Sequence, residues 1–170
     1  MDIRISGTVN DSIVDGPGLR YVIFTQGCPH KCKGCHNPQT HDINGGKKVD
    51  TEELIDEFKK NPLLDGVTFS GGEPFCQPQQ LCEIAQAAVD AGLDVVTYTG
   101  YTFEQILDKA ENDVFTKKLL SLTDILIDGR FVLEQRTLDE AFRGSANQRL
   151  IDCKKSLKLH KAVSWNEEYF

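Results

Sequence analysis

Four short runs rich in β-branched and apolar residues are spaced along the chain: "LRYVIFTQ" (residues 19–26), "GVTFS" (66–70), "LDVVTYT" (93–99) and "TDILID" (123–128). The first is apolar at nearly every position of its centre, as in a strand covered on both faces. Helical patterns lie between these runs. "DTEELIDEFKK" opens on Asp50 with Glu53 three residues on, a capping-box arrangement, and Leu54, Ile55 and Phe58 share one helical face. "PQQLCEIAQAAVDAG" keeps the helical period at Leu81, Ile84, Ala85, Ala88 and Val89, and Gly92 supplies the stop. A further helix follows the third run, with Thr102 and Gln105 placed for another box. Strands alternating with helices imply right-handed crossovers and a mostly parallel sheet, an α/β fold. A complete eight-stranded barrel needs roughly 250 residues. With 170 residues the chain is expected to form part of one, an incomplete TIM-like βα barrel, or a smaller open sheet. The last forty residues have room for one more strand.

That length fits a single domain over residues 1–170. No apolar run is long enough to span a bilayer, and "MDIRISGTVN" lacks the basic and apolar blocks of a signal peptide, so a cytoplasmic location is expected. In a reducing compartment six cysteines read as metal ligands, catalytic groups or free thiols before they read as disulfides. A net charge of −7 speaks against a nucleic-acid surface, which needs a basic face.

In parallel α/β proteins, sites gather at the carboxyl ends of the strands. Each run here is followed there by something unusual: "GCPHKCKGCHNP" after the first, "SGGEP" after the second, "TGYT" after the third and "DGR" after the fourth. The expectation is one composite site with a metal at one end.

Cys28, Cys32 and Cys35 are spaced C-x3-C-x2-C, three soft ligands where structural zinc wants four. His30, His36 and His41 stand close enough in sequence to complete a zinc site. The alternative is a 4Fe–4S cluster held through three irons, with the fourth iron open. Gly71 and Gly72 expose backbone groups with no side chain in the way, and Glu73 adds a carboxylate suited to an ammonium group. Alone, Gly-Gly is a tight strand-to-helix turn; beside three cysteines it favours the open-iron reading.

These residues are similar to the radical S-adenosylmethionine superfamily. Within it the chain looks like the glycyl-radical-enzyme activases, on "DGPGLR" (15–20) and "CHNP" (35–38). The likeness is greatest to the activases of anaerobic ribonucleoside-triphosphate reductases. It is carried by "GCPHKCKGCHNP", "SGGEP", "TGYT", "LIDGRFV" and "RGSANQR", in order, over residues 15–149. The resemblance implies an oxidoreductase whose Cys28, Cys32 and Cys35 hold a 4Fe–4S cluster and whose substrate is another protein. S-adenosylmethionine would chelate the open iron, with its ammonium received by the Gly71–Glu73 loop. A flavodoxin or ferredoxin-like donor would supply an electron, and the 5′-deoxyadenosyl radical would take hydrogen from a glycine of the reductase.

The resemblance also points to Arg130 as partner of the cofactor carboxylate, and to Arg143, Ser145, Asn147 and Gln148 near the cofactor or the peptide entrance. Asp128 and Thr99 match cation-site positions of a formate-lyase activase, although Tyr98 stands where an acidic residue is expected. Asp15 falls where the incoming glycine loop would pass, or within a simple turn. Most of the superfamily has an aromatic residue before the third cysteine. Gly34 stands there instead, as in the reductase activases, and leaves His36 and Asn37 as candidates to hold adenine. Cys76, Cys82 and Cys153 read as ordinary thiols. The competing readings are an activase for another glycyl radical enzyme such as pyruvate formate-lyase, and a non-enzymatic zinc or iron–sulfur module.

Overall fold

The computed structural model describes residues 1–166. The four runs form strands β2 (Arg20–Thr25), β4 (Gly66–Gly71), β5 (Asp94–Tyr98) and β6 (Ile125–Asp128), all parallel, as the alternation requires. Three further strands extend the sheet. β1 (Asp2–Ser12) pairs antiparallel with β2, β3 (Lys47–Asp50) pairs antiparallel with β1, and β7 (Arg149–Asp152) closes the far side against β6. The order is β3-β1-β2-β4-β5-β6-β7, with β3 and β7 as edges, so the sheet is open. β1 buries Ile3 and Ile5 while its other residues are polar or half-exposed, and two register shifts bend it along β2.

Helix α1 (Thr51–Lys59) is capped by Asp50, which accepts from the Glu52 amide at 2.9 Å. Glu53 makes no return bond, so the expected box is half formed. α2 (Pro78–Asp90) follows β4. The helix expected after β5 is two helices, α3 (Phe103–Asn112) and α4 (Val114–Leu122). α3 has the full Thr102–Gln105 box, and the Asp113 carboxylate caps α4 through the amides of Phe115 and Thr116. α5 (Cys153–Leu159) follows β7. Among the described residues no helix is long and apolar enough to cross a membrane.

The helices share one face of the sheet. Ile23, Phe69, Val95 and Leu126 pack there against Phe58, Leu81, Ile84 and Leu119 in one continuous core. On the other face a small cluster of Val96, Ile125 and Ile127 is covered by Phe142, Leu150 and Trp165. That face also holds Arg20, whose side chain has no exposed surface. Its guanidinium pairs with Asp94, donates to Thr68 Oγ1 at 2.7 Å and donates to the Pro17 carbonyl at 2.8 Å. Thr68 in turn donates to the Asp15 carbonyl at 2.8 Å. One buried cation thus straps the "DGPG" loop across the sheet and leaves Asp15 facing the carboxyl ends of the strands.

A buried ion pair that loses one partner strands the other, a cost of about 3–5 kcal/mol. Arg20→Ala should lower the unfolding free energy by about that amount in denaturant melts. A loss under about 1 kcal/mol would show that the strap is dispensable.

Candidate metal centre and its cleft

Because β2, β4, β5 and β6 are parallel, the loops that follow them meet at one edge of the sheet. They enclose a cleft of about 360 Å³. Cys28, Cys32 and Cys35 all line it, together with Gly71, Gly72 and Thr99. The cysteine loop is held by its own backbone: Gly27 N donates to Thr40 O at 2.7 Å, Cys28 N to His41 O and Cys35 N to Cys32 O at 3.2 Å. All three thiols are half-buried and free. Burial pushes the Cys28 thiol up, opposed by the backbone amides of His30 and Lys31. The other cysteines line no part of this cleft. Cys82 and Cys153 are buried donors to the Phe115 and Leu120 carbonyls, and desolvation pushes them up to about 11 and about 12.

The donor set fits an iron–sulfur cluster better than zinc. One zinc needs its ligands at about 2.3 Å (sulfur) from a single point. Among the described residues no three His, Cys, Asp or Glu side chains converge on one ion. A cluster spreads its thiolates over separate irons, which suits three cysteines set around one cleft. Of the histidines named for zinc, His30 is committed elsewhere and His36 is exposed with its ring edge-on to Phe131 at 5.1 Å. His41 lines the cleft with Nε2 buried and unpartnered, a polar group left for something the cleft would hold.

Glu73 lies elsewhere than a cofactor-facing carboxylate would. It has no exposed surface and does not line the cleft. Its oxygens accept from Thr99 Oγ1 at 2.9 Å, Gly100 N at 2.8 Å and Phe75 N at 3.0 Å, and one meets His30 Nε2 at 2.6 Å. His30 comes from inside the cysteine motif and Thr99 from the loop after β5, so one carboxylate ties three loops together. The glycines before it allow the approach. A Cβ on Gly72 would stand 2.4 Å from the Gly27 carbonyl oxygen, while the Gly72 and Glu73 amides donate to Thr25 O and Gly27 O, each at 2.8 Å. The Gly72 carbonyl has no such partner among the described residues.

The remaining candidates separate. His36 and Asn37 line the cleft, beside Phe131 and Phe142. Gly34 has φ +76°, and a Cβ there would sit 2.8 Å from the tip of the Leu133 side chain, so any other residue would take a backbone that L side chains rarely adopt and displace that leucine. Arg130 is exposed and outside the cleft. Arg143 and Gln148 line it, and Arg143 Nε is buried without a partner although its other nitrogens reach Glu140 and the Gln148 carbonyl. Ser145 and Asn147 brace that loop: Asn147 Oδ1 accepts from Ser145 Oγ at 2.6 Å, and Asn147 Nδ2 donates to Arg130 O at 2.8 Å. Asp15 lines the cleft from the strapped loop. Asp128 is buried and fully engaged by Arg149 and the Phe103 amide, and Tyr98 donates to the Phe142 carbonyl at 2.7 Å. Thr99 and Asp128 therefore already have protein partners where a cation would bind. The roles of His30, Arg149 and the two phenylalanines escaped the sequence reading, because each depends on a contact between distant loops.

An open α/β sheet that gathers three cysteines and a glycine loop at the carboxyl ends of its strands can hold an iron–sulfur centre. The chain belongs to the 4Fe-4S single cluster domain family, whose model matches residues 14–151. It is 34% identical over 145 residues to the anaerobic ribonucleoside-triphosphate reductase-activating protein of Vibrio cholerae, covering 80% of this chain and 89% of that protein. The protein of that name from Enterobacteria phage T4 is 35% identical over 81% of this chain and 86% of its own length. The pyruvate formate-lyase-activating enzyme of Clostridium pasteurianum is 40% identical over 113 residues, 61% of this chain but only 48% of that longer protein.

Glu73→Ala would leave a ring of buried donors without an acceptor, each costing about 1–3 kcal/mol. The cluster-free protein should lose at least about 3 kcal/mol of unfolding free energy in urea. A loss below about 1 kcal/mol would mean that the three loops are held by something else.

Proposed function

We propose that the protein activates an anaerobic ribonucleoside-triphosphate reductase by generating a glycyl radical on it, with a 4Fe–4S cluster and S-adenosylmethionine as cofactors. The observation that carries this is that Cys28, Cys32 and Cys35 all line one cleft, which they share with the Gly71–Gly72 loop. The activating proteins it resembles along most of their length support the choice of partner. When bound, the reduced cluster supplies the electron that splits S-adenosylmethionine into methionine and the 5′-deoxyadenosyl radical.

The chain's own residues bind, orient and exclude water. Cys28, Cys32 and Cys35 are the cluster ligands. The free carbonyl of Gly72, beside Gly71, would accept an N–H of the methionyl amino group. Glu73 acts from behind, with His30 and Thr99, to keep that carbonyl and the cysteine loop in register. Arg143, lining the cleft, is assigned the cofactor carboxylate in place of exposed Arg130. His36, Asn37 and Phe131 form the adenine wall that Gly34 cannot. Asp15 and Val14 border the opening through which the partner's glycine loop enters.

This reading makes the protein a cytoplasmic oxidoreductase acting as one domain over residues 1–170. Its sheet, with helices on one face only, is then the incomplete TIM-like barrel of such enzymes. Its electron donor is a small flavodoxin or ferredoxin-like protein. Activation of a formate-lyase is the second reading, favoured by the 40% identity to the clostridial enzyme.

Anaerobically reconstituted protein mixed with the reductase, S-adenosylmethionine and dithionite should give a glycyl doublet in electron paramagnetic resonance. A doublet only with a formate-lyase would move the assignment to the second reading. Alanine at Cys28, Cys32 or Cys35 should abolish 5′-deoxyadenosine formation, and normal turnover in any one would remove it from the ligand set. Arg143→Ala should raise the dissociation constant for S-adenosylmethionine about tenfold or more, the loss of one charge-assisted bond. Arg130→Ala should leave it unchanged; the reverse pattern would restore Arg130 to the role.

A further inference from the structure

A second hollow reaches the same cysteine loop from another side. It measures about 790 Å³ and opens between β1, β3 and the start of α2, whereas the cleft opens beside β4 to β6. Cys28 and His41 line both. A metal centre on the cysteine loop would therefore be approached from two sides. If cofactor and the partner's glycine loop fill the cleft, the hollow is the remaining short way to the centre.

The rim of this hollow is basic in an acidic protein. Lys31, Lys48 and Arg4 line it, against Asp2 and Asp42, in a chain of net charge −7. Lys33 and Lys47 are exposed on the same two segments, and none of the four lysines forms an ion pair among the described residues. Ile43, 71% exposed, adds an apolar contact on the rim. Lysines on an edge strand prevent strand addition, which accounts for Lys47 and Lys48 on β3. It does not account for Lys31 and Lys33, which lie in the cysteine motif. Lys31 moreover holds a left-handed backbone, φ +49°, that a non-glycine residue adopts only at a cost of about 1–2 kcal/mol. The other lysine clusters, Lys59–Lys60, Lys117–Lys118 and those on and after α5, line neither opening.

We propose that the lysine-rimmed hollow behind Cys28 is the docking surface for a small acidic electron-carrier protein that reduces the metal centre. The proposal rests on the radical-enzyme reading above. One electron leaves the carrier and one enters the centre; no atom is transferred. A negative carrier is repelled by most of this protein's surface and drawn to this rim, so the field selects both the partner and the side of approach.

The test uses an acidic flavodoxin as probe and binding as the primary readout. Two charge-reversal variants change the net charge equally: Lys47→Glu with Lys48→Glu on β3, and Lys158→Glu with Lys161→Glu at and just beyond the end of α5. By titration calorimetry at low salt, the β3 variant should bind flavodoxin at least tenfold more weakly and the α5 variant within about twofold of the unaltered protein. Unaltered affinity should fall as salt is raised. Cleavage of S-adenosylmethionine driven by dithionite should be equal in all three. Equal weakening in both variants, or none in either, overturns the surface. So does a β3 variant that loses the reductase and keeps flavodoxin. Absence of dithionite-driven cleavage in the unaltered protein would instead sink the functional reading, whatever the binding shows.

Discussion

The Glu73 carboxylate is the constraint on which the rest of the site depends. It has no exposed surface and is satisfied by two amides, a hydroxyl and an imidazole drawn from three separate loops. Unpaired, such a charge would be too costly to bury; paired this fully, it fixes the loops relative to one another. The cysteine loop cannot move without breaking the His30 contact, nor the loop after β5 without losing Thr99 and Gly100. The glycines are needed for the same reason, since a side chain at Gly72 would force the two loops apart. The carboxylate has no lone pair to spare for a ligand, and in the proposed function the neighbouring Gly72 carbonyl takes that task. A second buried charge, Arg20, works at the other end of the sheet and brings Asp15 to the cleft from below.

The sheet gives the molecule two ends and two faces with different duties. Helices seal one face with a continuous apolar core, while loops and a few side chains cover the other. The parallel strands bring every chemically unusual loop to one edge. β1 and β3, outside the alternating pattern, line the second approach to Cys28. A centre reached from two sides can take its electron from one and its substrate from the other without the two partners colliding.

Much of this was legible in the sequence. The four parallel strands declare themselves by continuous apolar runs, and the helix starts by Asp50 and Thr102. β1 does not: Gly7, alternating polar residues and two register shifts leave no run to read, and its partners on β2 stand between eight (Ser12–Arg20) and twenty (Ile5–Thr25) residues away. The break at Asp113 is hidden because it rests on that residue's own carboxylate capping α4, which spacing alone does not announce. The cysteine motif predicts its own cleft. The direction of Glu73 is another matter, because spacing says which residues share a loop but not which way a carboxylate turns. That is decided by His30, forty-three residues away. Arg130 and Arg143 look alike in sequence; only the folding back of the 143–148 loop puts one in the cleft and leaves the other outside.

The central claim is that the fourth coordination position of the centre belongs to the substrate. Electron–nuclear double resonance on the reduced, reconstituted protein tests it directly, using S-adenosylmethionine labelled with ¹⁵N in its amino group. The account predicts a ¹⁵N hyperfine coupling to the cluster spin. A cluster signal that shows no coupling to the labelled nitrogen would contradict it.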